Sequence, residues 1–166
     1  MRVGILTIST KGARGEREDT SGAAIRELIG RPEVGGQIDV YEIIPDDRSM
    51  IEARLREWSD ERKLHLILTT GGTGLGPYDF TPEATLAVLE RQVPGIAEAM
   101  RVESLKHTPF GMLSRAVAGT RGASLIINLP GSPKGVRECL SAILPALPHA
   151  IGLLGGEISE HKNSGS

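Results

Sequence analysis

Aromatic side chains are nearly missing: two Tyr, two Phe and one Trp make up 3% of 166 residues. Bases stack on aromatic faces, so a platform for single-stranded nucleic acid is disfavoured. An excess of one charge sign is missing too. The formal net charge is -2, no Lys/Arg run marks a basic patch, and nothing points to a nucleic-acid or membrane partner. No apolar run approaches the ~20 residues a membrane-spanning helix needs. The opening Met1–Leu6 is too short for a signal peptide and carries no cleavage pattern. A single cysteine, Cys139, cannot staple a fold, so a reducing, cytoplasmic setting is expected. Cys139 falls at an apolar-periodic position between Val136 and Leu140, which suits a buried small hydrophobe better than a nucleophile.

What is present is alternation. Short, β-branched, apolar runs at Val3–Ile8, Ile38–Ile44, Leu64–Thr69 and Leu125–Leu129 read as strands buried on both faces. Between them lie segments of helical spacing. One opens at Thr20 with Ala24, Ile25, Leu28 and Ile29 on its inner face, and another follows Asp46–Asp47 with Ile51, Leu55 and Trp58. Thr81-Pro82-Glu83 predicts a helix start, with Thr81 as N-cap and Pro82 at the first helical position. Pro94 opens a further helix ending near Leu105. Ser132-Pro133 opens a last one reaching Leu154, kinked at Pro145 and Pro148. His107–Gly122 has no clear period. The order of elements predicts an α/β chain, three layers α/β/α around a mostly parallel sheet, as one domain over 1–156 with a flexible tail over 157–166.

In such folds ligands bind at the carboxyl ends of the strands. Four pieces should meet there. Thr70-Gly71-Gly72-Thr73-Gly74 follows the third strand; glycines let backbone N–H groups face an anion, and the threonines add donors. Neither a Walker A pattern nor a dinucleotide fingerprint is present, and a tight turn without a ligand would also explain the glycines. Pro130-Gly131-Ser132 follows the fourth strand and opens a helix, where plain capping by Ser132 is the competing explanation. Asp46 and Asp79 flank the same rim. Two acids beside a phosphate site make sense if a divalent cation lies between, whereas a helix cap and a loop turn would account for them otherwise. Last comes Thr108–Arg115, where Met112 and Leu113 suit the core and Ser114 and Arg115 suit a phosphate.

At Leu68–Gly74, Asp79–Thr85, Thr108–Arg115 and Leu125–Ser132 the sequence resembles the MoaB/Mog family and the related G domain of gephyrin. The resemblance runs from about Arg2 to Leu154. It implies a molybdopterin-binding-like fold, a homotrimer, and other molybdenum-cofactor enzymes as partners. It also implies an adenylyltransferase, moving AMP from Mg-ATP to molybdopterin with release of pyrophosphate; the alternative is a catalytically silent carrier or scaffold for molybdopterin. By the same resemblance Asp46 and Asp79 are the catalytic acids and the holders of Mg²⁺. Thr70, Gly71, Gly72, Thr73, Gly74, Pro130, Gly131 and Ser132 would border ATP, and Ser9, Thr10, Ser114 and Arg115 would lie toward molybdopterin. Two positions depart from many relatives: Tyr78 stands where an Arg precedes the loop aspartate, and Thr10 where an Asp follows the first-strand serine.

Overall fold

A computed structural model describes residues 1–157; the expected tail, from residue 158 on, lies outside the described residues. Six strands form one sheet: β1 (Arg2–Ile8), β2 (Gln37–Ile44), β3 (Leu66–Thr70), β4 (Arg91–Gln92), β5 (Ala118–Arg121) and β6 (Ser124–Leu129). Their order is β2-β1-β3-β6-β5-β4. The four expected strands are β2, β1, β3 and β6, and they run parallel. β5 returns antiparallel to β6, and the two-residue β4 closes that edge. Neither was marked by the sequence, since Ala-Gly-Thr-Arg has no apolar alternation.

Side chains of successive strand residues go to opposite faces, and this divides the core in two. Val3, Ile5, Leu66, Leu68, Leu125 and Ile127 face one cluster, shared with the helices α2 (Thr20–Ile29), α5 (Pro94–Leu105), α6 (Pro133–Ile143) and α7 (Leu147–Leu154). Leu6, Ile8, Ile67 and Ile126 face the other, shared with α3 (Arg48–Asp60) and α4 (Thr81–Val88). Each buried aliphatic contributes roughly 1.5–3 kcal/mol relative to exposure, so both helical layers are held by apolar area. A short α1 (Thr10–Ala13) follows β1.

One helix boundary differs from the sequence reading. Thr81 is not the N-cap of α4: it is already helical, Pro82 comes second, and the flanking Phe80 makes no side-chain cap. The hydroxyl of Thr81 donates instead to the carbonyl of Gly71 at 2.9 Å. The last helical stretch reaches Leu154 with the expected interruption at Pro145, while Pro148 lies in the first turn of α7. The stretch breaks at Leu144–Ala146, a 3-10 turn containing Pro145, because proline cannot supply the N–H that would continue the ladder.

One buried polar group stands out on the α3/α4 face. Asn128 is fully buried in β6; its amide donates to the hydroxyls of Thr69 (3.0 Å) and Thr85 (2.9 Å), and its oxygen accepts from the N–H of Val117 (3.2 Å). Thr85 passes the connection on to the carbonyl of Thr81 at 2.8 Å. Replacing Asn128 by Ala leaves Val117 N–H and two hydroxyls short of a partner in a dry site. We expect a loss of about 2–4 kcal/mol, read as a lower urea midpoint with an unchanged slope.

Candidate functional site

The carboxyl ends of β1, β2, β3 and β6 bring four loops together. The centre is the turn after β3. Gly71 and Gly72 both have positive φ, +97° and +69°, a region that only glycine enters without strain. A side chain at Gly71 would overlap the carbonyl of Ile8, and one at Gly72 would overlap the hydroxyl of Thr81. Thr81 also donates its backbone N–H to the carbonyl of Gly72 at 3.1 Å. From the other side comes the turn after β6: a Cβ on Gly131 would sit 3.4 Å from the Cα of Gly71. Thr70 donates its hydroxyl to the carbonyl of Pro130 at 2.6 Å, and Ser21 donates to the carbonyl of Gly131 at 2.7 Å. The glycine loop and the Pro130-Gly131-Ser132 turn therefore touch along their backbones. Ser132 caps α6, its hydroxyl accepting from the N–H of Gly135 at 3.0 Å.

Two cavities open on this junction, on either side of Ser132. A polar cleft of about 510 Å³ is lined by Ser9, Asp19, Ser21, Asp46, Thr70, Gly71, Gly72, Gly131 and Ser132, among others. A mostly apolar chamber of about 460 Å³ lies toward α5 and α6. Its walls include Ala97, Met100, Leu113, Ala116 and Cys139, and Thr73, Gly74, Ser114, Pro130 and Ser132 also border it. The residues expected to border a nucleotide thus divide between two compartments. The Cys139 thiol is buried in the chamber wall; burial raises its pKa, which keeps it protonated and poorly nucleophilic.

The two acids flank the loop. Asp47, not Asp46, caps α3 through the N–H of Met50 at 2.9 Å. Asp46 is thereby free for the cleft. Its Oδ2 accepts from the N–H and the hydroxyl of Thr10, at 3.0 and 2.9 Å, and its own N–H donates to the Thr10 hydroxyl at 3.1 Å. Its Oδ1 faces Gly72, 3.6 Å from where a Cβ would stand. Thr10 so acts as the clamp of Asp46. Asp79 sits farther along the loop and accepts from the N–H of Gly76 through Oδ2 at 2.8 Å. Its carboxylate is 2.9 Å from the Cβ positions of both Gly74 and Gly76. Each acid therefore keeps one oxygen without a hydrogen-bond partner among the described residues.

Arg115 reaches the same loop from the far segment. It donates to the carbonyl of Gly74 (2.8 Å) and the carbonyl of Asp79 (2.8 Å) and pairs with Glu83. Hydrogen bonding from Arg115 holds Glu83 below the usual carboxylate range. The guanidinium braces the loop from Gly74 to Asp79. Ser114 closes the adjoining 3-10 turn (Pro109–Leu113) and accepts from Ala116 N–H at 3.3 Å. Met112 and Leu113, expected in the core, are 64% and 46% exposed. Ser9 caps α1 through Gly12 N–H at 3.0 Å.

Sequence reasoning passed over Asp19. It caps α2 through Gly22 N–H (2.9 Å), takes the Thr7 hydroxyl (2.6 Å), and accepts from Tyr41. Burial, then hydrogen bonding to Asp19, pushes the Tyr41 hydroxyl up to about 12, so Tyr41 remains a donor at any physiological pH. Asp19 looked like one charge in a polar run. Only the fold brings β2 and the α2 cap together.

No group of three or more His, Cys, Asp or Glu able to hold a metal occurs among the described residues. Two carboxylates with one open oxygen each suit an ion that draws its remaining ligands from phosphates and water, the habit of Mg²⁺.

Comparison with known proteins places this architecture. A family model described as a probable molybdopterin binding domain matches residues 4–149. Molybdopterin adenylyltransferase of Helicobacter pylori is 45% identical over 156 residues, covering 94% of this chain and 89% of that protein. The molybdenum cofactor synthesis protein cinnamon of Drosophila melanogaster is 44% identical over 156 residues, and the chain spans about a quarter (26%) of that protein's length. The crystal structure of the molybdopterin biosynthesis enzyme MoaB from Thermus thermophilus superposes with a TM-score of 0.86 at 57% identity, covering 93% of this chain and 96% of that one. With the match spanning the sheet, both cavities and the glycine loop between them, the chain belongs to the molybdopterin binding domain family.

Proposed function

We propose that the chain is a molybdopterin adenylyltransferase, transferring AMP from ATP to the terminal phosphate of molybdopterin with release of pyrophosphate. The observation that carries this reading is the glycine loop standing between a polar cleft and an apolar chamber, with an acid on each flank. A bisubstrate reaction between a nucleotide and a pterin phosphate needs two adjoining compartments and a shared phosphate shelf. The identity of the relatives supports the same chemistry.

In this reading a phosphate oxygen of molybdopterin forms a bond to the α-phosphorus of ATP while the bond to the bridging α–β oxygen breaks. The attacking phosphate is already ionised, so no general base is needed. The obstacle is repulsion between anions, and the remedy is positioning and charge stabilisation. Thr70, Gly71–Gly74 and Pro130–Ser132 provide the shelf. Asp46, clamped by Thr10, and Asp79, turned by Gly76, would hold a divalent ion, which would supply positive charge to the reacting phosphates. Arg115 acts through the loop, keeping Gly74 and Asp79 in place, while Ser114 and Ser9 border the compartments on either side.

The direct test is purified protein with molybdopterin, ATP and Mg²⁺, assayed for pyrophosphate and adenylylated pterin. Binding of both substrates without pyrophosphate release identifies a carrier and ends the proposal. Asp46→Asn and Asp79→Asn should each lower kcat by about 100-fold or more, the scale of a lost transition-state electrostatic contact, with molybdopterin binding nearly intact. Unchanged turnover of Asp79→Asn at saturating Mg²⁺ removes that residue from the ion site.

We further propose that the protein assembles as a homotrimer. The family resemblance suggests this assembly, and the exposed Tyr78, Phe110 and Met112, at 70%, 74% and 64%, are apolar groups it could cover. Light scattering should report three times the 17.7 kDa chain mass; a monomer across the working concentration range rejects the assembly. Among the described residues no helix is long and apolar enough to cross a membrane.

A further inference from the structure

Glu138 lies on α6 and lines the apolar chamber, with its side chain only 15% exposed. Among the described residues it accepts no hydrogen bond. The nearest side-chain nitrogens are His107 Nδ1 at 3.6 Å and Lys134 Nζ at 3.9 Å, both beyond good hydrogen-bond length, and Lys134 is 80% exposed to water. The neighbouring Glu103 is served differently: Lys106 reaches it at 2.9 Å and His107 Nε2 at 3.2 Å. The close contacts at this end of α5 thus go to Glu103, while the carboxylate on the chamber wall is left short. Its oxygens keep contact with the chamber's water, so a ligand that displaces that water must bring donors in its place.

A carboxylate offers two acceptor oxygens and no donor. It matches a ring edge that presents two adjacent N–H groups. The 2-amino-4-oxopyrimidine edge of a pterin has that pair: the ring N3–H and the 2-amino group. Adenine does not, since its amino group adjoins a ring nitrogen whose lone pair would face the second oxygen. We infer that Glu138 is the specificity-determining acceptor for the pterin ring of molybdopterin in the apolar chamber, and that the nucleotide enters from the polar cleft. The assignment rests on the adenylyltransferase reading for the identity of the pterin. Guanine carries the same donor pair, so the chemistry alone admits either source.

The test titrates three probes against the whole protein by fluorescence or competition: 2-amino-4-oxopteridine, its 2,4-dioxo analogue lacking the amino group, and GMP. The wild type should bind the amino compound at least about ten-fold more tightly than the dioxo compound, the discrimination of one charge-assisted hydrogen bond; GMP, which carries the same donor pair, should bind more weakly because its charged ribose phosphate does not suit the apolar walls. Glu138→Gln should erase that preference, and Glu138→Asp, which keeps both acceptors, should retain part of it. In the full reaction Glu138→Gln should raise KM for molybdopterin about ten-fold and leave KM for ATP unchanged. An unaltered pterin affinity in Glu138→Gln, a parallel rise in KM for ATP, or GMP binding as tightly as the pterin overturns the assignment. If the wild type releases no pyrophosphate yet binds pterin in a Glu138-dependent way, the catalytic reading fails and the chamber assignment stands.

Discussion

Everything at this rim depends on how little space surrounds two peptide units. Gly71 and Gly72 turn the chain away from β3 in a left-handed conformation, with the Ile8 carbonyl against one and the Thr81 hydroxyl against the other. Any Cβ at either position collides, so the turn is fixed by exclusion before any ligand is considered. The groups that exclude it come from β1 and α4. A third element, the turn after β6, closes on Gly71 at backbone distance. The sheet and the loop therefore cannot be positioned independently, and the cleft and the chamber inherit their shared wall from this crowding.

The buried polar side chains serve the same geometry. Asn128 joins β6 to Thr69 and Thr85, and Thr85 joins it to Thr81, whose hydroxyl and N–H meet Gly71 and Gly72. In a layer otherwise filled by aliphatic groups, this chain of hydrogen bonds connects the interior to the loop. Arg115 and Glu83 brace the outer half, Gly74 to Asp79. Asp46 and its partner Thr10 fix the inner half from β2 and α1. Charges that looked like ligand contacts in the sequence are in part the supports of the groups that would make them.

The fold was legible where one physical pattern dominates. β1, β2, β3 and β6 are apolar on both faces, and nothing but a covered parallel sheet accommodates that. α5 was framed by Pro94 and by the end of its apolar spacing. β4 and β5 were not legible, because an edge of Ala, Gly, Thr and Arg is held by backbone hydrogen bonds that leave no side-chain period. At the site, the glycine loop, its acids and the Ser132 cap were marked by local chemistry. Long-range partners were not: Glu83 for Arg115, Tyr41 for Asp19 and Gly71 for Thr81 are separated by stretches of chain that no periodicity spans. Thr81 misled because a threonine before a proline is an equally good cap when nothing nearby accepts its hydroxyl. Glu138 reads in the sequence as one more polar position on an amphipathic helix, and only the packing of α5 against α6 turns it inward.

The bracing of the glycine loop has a thermodynamic corollary. Its hydroxyl and carbonyl contacts are already satisfied by Thr81, Thr70, Pro130 and Arg115 in the free chain. The conformational entropy of this segment was surrendered at folding and is not demanded again on association. Such a surface receives its guests as a rigid body, so the heat capacity change on association should track the area covered and carry no signature of a segment freezing into place.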